Sequence, residues 1–205
     1  MTAPDGGRAL PNARARRFML AIQDVMGLSG LATVLRQAGL QRYANALPPT
    51  DNGPGLRASE YADLMQAIEN YYGRGARGTL TRIGYASFQR LVAGQRLRAR
   101  LLQVLLRALP QPQRRLLVLR WLAGQVGGPR GHVRVYLDDG SVTLVDQDSL
   151  GTTGRQRDGE ICWVTLGEIQ EALKWGTGRE YDVAERRCKA HGEPACLFEI
   201  GAPVG

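Results

Sequence analysis

Cysteine, histidine and lysine are scarce in this 205-residue sequence, which holds three cysteines, two histidines and two lysines. Three cysteines cannot all pair, and a chain of this length buries a core without covalent links, so a disulfide framework is not expected. With only His132 and His191 available, no nucleophile and base pair can be named. No Gly-x-Gly-x-x-Gly follows a predicted strand, which argues against a nicotinamide or flavin enzyme.

Long apolar runs are also lacking. No stretch approaches 18 uninterrupted apolar residues, and the most apolar segment, 116–126, is broken by Arg120. Residues 1–12 are polar and glycine-rich, with no apolar signal region behind them. Together with 43% hydrophobic residues, these features predict a soluble, cytoplasmic globular protein without a transmembrane segment.

Charge is distributed unevenly along the chain, whose net charge is +8. Residues 1–129 carry 18 arginines and six acids, whereas residues 130–205 carry nine basic residues and 13 acids. The arginines recur at helical spacing along amphipathic segments, which favours solvated helix faces over a nucleic-acid interface. The group Arg14, Arg16 and Arg17 and the pair Arg114 and Arg115 are the best candidates for an anion contact.

Hydrophobic periodicity divides the chain into a helical part, 14–128, and a sheet part, 129–205, of one domain, after a disordered tail at 1–13. Gly27 interrupts the first helical pattern, and Pro110 and Pro112 separate the last two. The predicted helices cover 14–26, 29–38, 59–72, 79–92, 96–109 and 113–126.

In the second part, alternating residues around Asp138-Asp139-Gly140 predict a hairpin. Residues 146–160 are predicted to form a mobile loop across the sheet edge. A short strand at 161–164 is expected to enter a helix capped by Thr165 and Glu168, and a second hairpin closes the chain.

The three cysteines fall at defined points of this pattern. Cys188 and Cys196 face each other across the mouth of the last hairpin, and Cys162 lies on the strand that enters the helix. They fit a disulfide between Cys188 and Cys196, buried inert thiols, or three ligands of a tetrahedral zinc ion. Asp148, at a strand end, is favoured as the fourth ligand. The alternatives in sequence are Asp146, Asp158, Glu160 and His191.

Three segments resemble the 4-vinyl reductase domain family of hydrocarbon-binding domains, which is related to the aromatic-sensing domains of bacterial activators and to small TRAPP vesicle-tethering subunits. The matching runs are Ile161-Cys162-Trp163-Val164-Thr165-Leu166-Gly167, Glu171-Ala172-Leu173-Lys174-Trp175-Gly176-Thr177-Gly178 and 183–200 with its closing C-x-A-x-G-[DE]-x-x-C pattern. The segment that begins at Met19 is also similar, so the resemblance covers most of the chain.

The resemblance implies an α+β fold of the NO-signalling/Golgi-transport ligand-binding type, with N-terminal helices packed on one face of a C-terminal antiparallel sheet. It also implies a dimer, a buried apolar pocket, and zinc ligands at Cys162, Cys188 and Cys196. The chain departs from the pattern at Ser149 and Thr152, where stand-alone relatives carry two further cysteines.

The predicted function is therefore non-catalytic binding or sensing of a small apolar or aromatic molecule or a lipid chain, beside a structural zinc. Tyr85, Phe88, Trp121 and Tyr136 are the predicted pocket walls. The alternatives are an accessory or catalytic role in the reduction of a tetrapyrrole vinyl group, and a dimeric interaction scaffold that uses helix 97–109 or 113–126. A homodimer and an effector protein in trans are the expected partners, and nucleic acid is not.

Overall fold

The fold is α+β, as predicted, with the helices first and the main sheet last. The structure is a computed structural model that describes residues 8–127, 131–138 and 140–204. The helices are α1 Asn12–Gln37, α2 Arg42–Asn45, α3 Ala58–Tyr72, α4 Ala76–Gly94, α5 Arg96–Arg107, α6 Gln111–Val126 and α7 Trp163–Thr177. The strands are β1 Ala9–Pro11, β2 Pro54–Arg57, β3 Val133–Asp138, β4 Ser141–Asp146, β5 Tyr181–Arg187 and β6 Cys196–Pro203.

Helix α1 is two helical segments joined at a sharp kink. Gly27 has φ 73° and ψ 173°, a conformation that glycine adopts readily and that interrupts the helix where the sequence pattern stopped. By length and composition α1 is also apolar enough to cross a membrane, with a mean hydropathy of 1.6 over 18 residues. Phe18, Ile22 and Val34 nevertheless lie in the protein interior, so α1 acts as a core helix here.

The main sheet is antiparallel, in the order β3-β4-β6-β5. Both predicted hairpins are present, and Gly140 with φ 81° closes the first. Strand β6 lies between β4 and β5, so residue 196, at the start of β6, pairs with Asp146, at the end of β4. The last strand therefore links the two hairpins into one sheet.

Helices α4 and α7 lie between two apolar cores. One core packs α6 and α7 against the sheet, around Phe88, Leu144 and Phe198. The other joins α1, α3 and α4, around Ile22 and Ile68. The fold therefore has a layer of helices between the sheet and the N-terminal helices, and the site described below lies at the edge of this layer.

Two segments differ from the sequence predictions because tertiary contacts order them. In the predicted tail, residues 1–7 lie outside the described residues, but Ala9–Pro11 form a strand paired with β2. In the predicted loop 146–160, Leu150–Thr152 form a 3₁₀ turn. Arg155 then reaches back to α3, where its Nη2 lies 2.5 and 2.6 Å from the carboxylate oxygens of Glu69.

Replacement of Arg155 by alanine is expected to lower the free energy of unfolding by about 2–4 kcal/mol. The two side chains are only 7% and 12% exposed, so loss of Arg155 leaves the largely buried Glu69 carboxylate with only the longer contact to Arg157 Nη2, at 3.9 Å. Urea denaturation would measure the change. The exposed pair Lys174 and Glu180 provides the control, since Lys174→Ala should cost less than about 1 kcal/mol. An equal cost for both variants would contradict the prediction.

The predicted strand at 161–164 is instead the start of a helix. Helix α7 begins at Trp163, and Cys162 precedes it as the N-cap residue, without a side-chain cap. The predicted capping box of Thr165 and Glu168 is consequently three residues too late, since the N-cap is Cys162. The Glu168 carboxylate instead accepts a hydrogen bond from Ser87 Oγ of α4 at 2.6 Å, and so joins two helices.

Candidate functional site

The structure brings all three cysteines together with one glutamate in a buried cluster. The ligand atoms of Cys162, Glu185, Cys188 and Cys196 all lie within 4.8 Å of one another. Cys162 precedes α7, Glu185 lies on β5, Cys188 follows β5, and Cys196 begins β6. Strand pairing thus supplies three of the four groups, and the start of α7 supplies the fourth.

The sulfur positions suit a tetrahedral metal ion. Cys162 Sγ lies 4.0 Å from Cys188 Sγ and 3.4 Å from Cys196 Sγ. Thiolates bound about 2.3 Å from a zinc ion in a tetrahedral site lie about 3.8 Å apart. The thiols are free rather than paired in a disulfide, and all three are buried. This geometry disfavours the disulfide alternative and brings the cysteines together as a metal site requires.

Glu185 completes the cluster in place of the predicted Asp148. One carboxylate oxygen accepts a hydrogen bond from the Cys162 backbone N–H at 3.0 Å. The other, Oε1, is buried and has no hydrogen-bond partner among the described residues. A buried acceptor of this kind needs a donor, a proton or a cation, so its position favours a metal ligand.

Burial and mutual contact shift the acid–base properties of the cluster. Desolvation raises the pKa of Glu185 to about 8. Hydrogen bonds from the thiols of Cys162 and Cys196 lower the pKa of Cys188. Hydrogen bonding to Cys188 and Cys196, followed by burial, raises the pKa of Cys162. Burial therefore opposes ionisation of Glu185 and Cys162, and a bound cation would favour it.

Asp148 and His191 lie outside the cluster. The Asp148 carboxylate forms an ion pair with Arg8, and its other oxygen is 3.7 Å from Nε2 of His132. His191 is exposed, and its Nδ1 is 3.1 Å from the carbonyl oxygen of Arg157. The structure therefore places Glu185, and not the predicted Asp148, beside the three cysteines.

Sequence reasoning could have found Glu185 from its place in the alternation of β5. Tyr181 and Val183 point into the core, and Glu185 is the next inward position, with 6% of its surface exposed. A glutamate on the apolar face of a strand, three residues before a cysteine, is the signal. Ser149 and Thr152, the two departures from the pattern of the resembling family, are both buried. Ser149 Oγ lies 3.6 Å from Cys162 Sγ, and Thr152 Oγ1 donates to the carbonyl oxygen of Ser149.

A cavity of about 580 Å³ adjoins the cluster and shares Cys162 with it. Its wall is formed by α1, α3, α4 and α7 together with the ends of β3 and β4. Phe18, Met65 and Val164 contribute apolar surface. The principal polar groups on the wall are Arg14, Arg17, Tyr61, Ser87, Asp146 and Glu168.

Arg17 and Glu168 carry opposite charges on the cavity wall, but they form no direct contact in the described structure. Arg17 Nε is buried and has no hydrogen-bond partner among the described residues, and burial lowers the pKa of its guanidinium group. Glu168 raises that pKa electrostatically, but the two side chains form no ion pair in the described structure. Arg14 instead donates to the carbonyl oxygen of Val126 at 2.5 Å. The cavity therefore offers a free donor and an acceptor to a third group.

The predicted pocket walls lie elsewhere. Phe88 and Trp121 form an aromatic cluster with Trp175, with ring centroids 5.6–6.0 Å apart, in the core against the sheet. Tyr85 donates to Gln170 at 2.8 Å, and Tyr136 is 46% exposed. None of the four predicted residues is part of the cavity wall. The helical spacing of aromatic residues does not indicate whether they lie in the core or line a pocket, because both need large apolar side chains.

No family model and no curated protein sequence matches the chain. Solved structures do match it over nearly its whole length. An Fe(II) unliganded H-NOX protein from K. algicida aligns with a TM-score of 0.62 at 13% identity, covering 96% of this chain and 97% of that one. An oxygen-binding H-NOX domain related to soluble guanylate cyclases aligns with a TM-score of 0.59 at 10% identity, covering 93% of both.

A third structure, from a study of heme distortion in the H-NOX family, gives a TM-score of 0.58 at 11% identity and covers 96% of this chain and 97% of that one. Identities this low establish shared architecture and no more. The chain has the same fold as the H-NOX domains, in agreement with the NO-signalling type of fold that the family resemblance implies.

Proposed function

We propose that this chain is a non-catalytic binding domain that takes up a small molecule in the cavity of about 580 Å³ beside a structural zinc site. The observation that carries the proposal is the shared wall: Cys162 belongs both to the cavity and to the four-residue cluster. The volume is within the range of about 300–1,000 Å³ that is typical of small-molecule pockets. The fold is also that of domains whose solved forms bind small ligands, such as the oxygen complex.

Zinc fits the donor set of the cluster. Three thiolates and one carboxylate provide four ligands and a charge that a divalent cation offsets, and Glu185 Oε1 lacks any other partner among the described residues. A zinc ion there would join the end of β5, the start of β6 and the start of α7. Four protein ligands leave no open position, so the role is structural rather than catalytic.

A heme, the group named in the study of heme distortion in the H-NOX family, fits this cavity less well than a smaller molecule does. His132, the histidine on the wall, has a side chain 35% exposed and lies beside Asp148. The buried wall carries Arg17, Glu168 and Asp146, which the apolar face of a porphyrin would leave without partners. The cavity is therefore better suited to a smaller molecule.

The ligand that suits this wall has an apolar or aromatic body, or a lipid chain, and one polar end. Phe18, Met65 and Val164 would contact the body. The polar end would lie between Arg17 and Glu168, where it can accept a hydrogen bond from the guanidinium group and donate one to the carboxylate. Charged groups held in a desolvated wall form strong hydrogen bonds when a partner arrives.

Native mass spectrometry of gently purified protein, followed by thermal shift with phenols, aromatic acids and fatty acids, tests the proposal. A ligand at 100 times its Kd stabilises the folded state by about 2.7 kcal/mol, which raises the Tm by about 5–10 °C. Replacement of Arg17 by methionine should weaken such a ligand by about tenfold or more, because one charge-assisted hydrogen bond is lost.

Arg36→Met provides the matched control, since Arg36 is an exposed arginine near the other end of α1. This variant should bind like the unmodified chain. No co-purified ligand and no shift across the panel would contradict the proposed function. A shift that is equally large in Arg17→Met would place the ligand elsewhere.

A further inference from the structure

Helix α5 presents two different apolar faces. Ala99 and Leu106 are buried, and Leu102 packs against the core, so one face holds the helix to the domain. The opposite face is exposed to solvent. It carries four large apolar side chains, which are Leu97 at 72% exposure, Leu101 at 64%, Val104 at 68% and Leu105 at 52%.

The exposed apolar residues form one stripe, which we call the α5 stripe: Leu97, Leu101, Val104 and Leu105. At about 100° per residue these positions fall within an arc of about 100°. Four arginines of the same helix lie between the stripe and the buried face, Arg98 on one side and Arg96, Arg100 and Arg107 on the other. All four are exposed and form no ion pair in the part of the chain that the structure describes.

The charge around this helix has a single sign. Between Glu69 and Asp138 the sequence holds 13 arginines, no lysine and no acidic residue. The arginines of α5 therefore have no acidic neighbour from α4, α5 or α6. Within this span, Arg90 is the residue that forms an ion pair in the described structure, with Asp24 of α1. A partner of α5 must supply the negative charge itself.

We propose that the α5 stripe docks onto a lipid bilayer surface rich in anionic headgroups. The leucines would enter the boundary between headgroups and acyl chains, while the flanking arginines extend their guanidinium groups to the phosphates. An exposed apolar stripe flanked by arginines is the pattern of helices that lie in a membrane interface. The contact would bring the cavity domain to the membrane without any spanning segment.

A second copy of the chain fits the same face less well. Two-fold pairing of the stripe would bring two sets of α5 arginines together, with no acid on this face to neutralise them. Like charges in contact oppose association, whereas anionic lipids attract both the stripe and its borders. Of the two dimer interfaces predicted from the sequence, 97–109 coincides with α5 and 113–126 lies on α6, so a homodimer through α6 would leave the stripe free.

Vesicle flotation with the full chain tests the proposal. Binding is expected to vesicles of equal parts phosphatidylcholine and phosphatidylglycerol, and to fall sharply on vesicles of phosphatidylcholine alone or in 1 M salt, where the Debye length is about 3 Å. Leu101→Asp should reduce binding by about tenfold or more, because it places a negative charge in the stripe. Arg98→Gln combined with Arg100→Gln should reduce it on anionic vesicles.

Leu28→Asp is the matched control, since Leu28 is 71% exposed but lies on α1. It should bind like the unmodified chain, and circular dichroism would show that each variant is folded. Failure to bind anionic vesicles, or equal binding by Leu101→Asp, overturns the proposal. So does a dimer that Leu101→Asp dissociates, which would assign the stripe to a second copy. Retention on soluble poly-glutamate without vesicle binding would assign it to an acidic protein and overturn the proposal equally.

Discussion

Replacement of Cys196 by serine is expected to abolish stoichiometric zinc binding and to lower the Tm by about 10 °C. Cys196 is fully buried, its Sγ is 3.4 Å from that of Cys162, and it accepts a hydrogen bond from the Lys189 backbone N–H. Loss of one thiolate leaves three ligands for an ion that structural sites hold with four. A structural zinc contributes directly to folding, so a loss above about 3 kcal/mol is expected, at about 2–4 °C per kcal/mol.

Elemental analysis and calorimetry on the same samples would measure both effects. Glu185→Gln should also weaken zinc binding, whereas Asp148→Asn should keep one zinc per chain, because the Asp148 carboxylate contacts Arg8 and His132 instead. Ser149→Ala is the control for the loss of a buried polar group beside Cys162. If chelation leaves the Tm of the unmodified chain unchanged, the cluster is a group of inert thiols and the zinc proposal fails.

Local patterns in the sequence were enough for the order of the long helices and of the strands of the main sheet, but not for β1, α2 and β2. Helical periodicity, the break at Gly27 and the first hairpin, in which Asp138 pairs with Ser141, all reappear in the structure. These signals are local, because a helix face or a two-residue turn is encoded within a few positions. The three cysteines could be brought together on the same basis, since two of them border a hairpin.

Non-local contacts account for the rest. Asp148 and Glu185 are both carboxylates near strand ends, and only the order β3-β4-β6-β5 decides which one reaches the cysteines. Helix α7 begins at Trp163 rather than at the predicted cap. Glu168, which fits a local capping box in sequence, is recruited by Ser87 on another helix.

A buried pocket was predicted, but the residues predicted to form its walls do not line the observed cavity. The pocket was expected among aromatic residues, and those residues pack against one another in the core around Phe88. The observed cavity is bounded by carboxylates and by Arg14 and Arg17, which the sequence marked for an anion contact but not as part of a pocket. Hydrophobic periodicity shows which residues face inward, but it cannot show where the packing between two layers leaves a cavity.

Replacement of Gly84 by alanine is expected to cost at least about 3 kcal/mol of stability and to weaken ligand binding as well. A methyl group at this position would lie 2.2 Å from the carbonyl oxygen of Val164 and 2.9 Å from the backbone nitrogen of Glu168. Both are backbone atoms of α7, so they cannot move aside as a flexible side chain could. The helices must separate, and overpacking of this kind is destabilising.

The contact is reciprocal, which makes the prediction stronger. A methyl group on Gly167 of α7 would lie 2.2 Å from the carbonyl oxygen of Thr81 of α4. Two glycines therefore let the helix backbones touch, and Gly167→Ala should be as costly as Gly84→Ala. These distances show that the absence of a side chain at both glycines serves close helix packing.

The close contact between α4 and α7 also positions two polar residues of the cavity wall. Ser87 lies about one turn after Gly84, and Glu168 directly follows Gly167, so separation of the helices would break their 2.6 Å hydrogen bond. Gly94→Ala is the control, since a methyl group there meets no atom within 4 Å and alanine favours a helix. Urea denaturation and ligand titration should show both losses for Gly84→Ala and neither for Gly94→Ala. Unchanged stability in Gly84→Ala would mean that the two helices do not pack this closely.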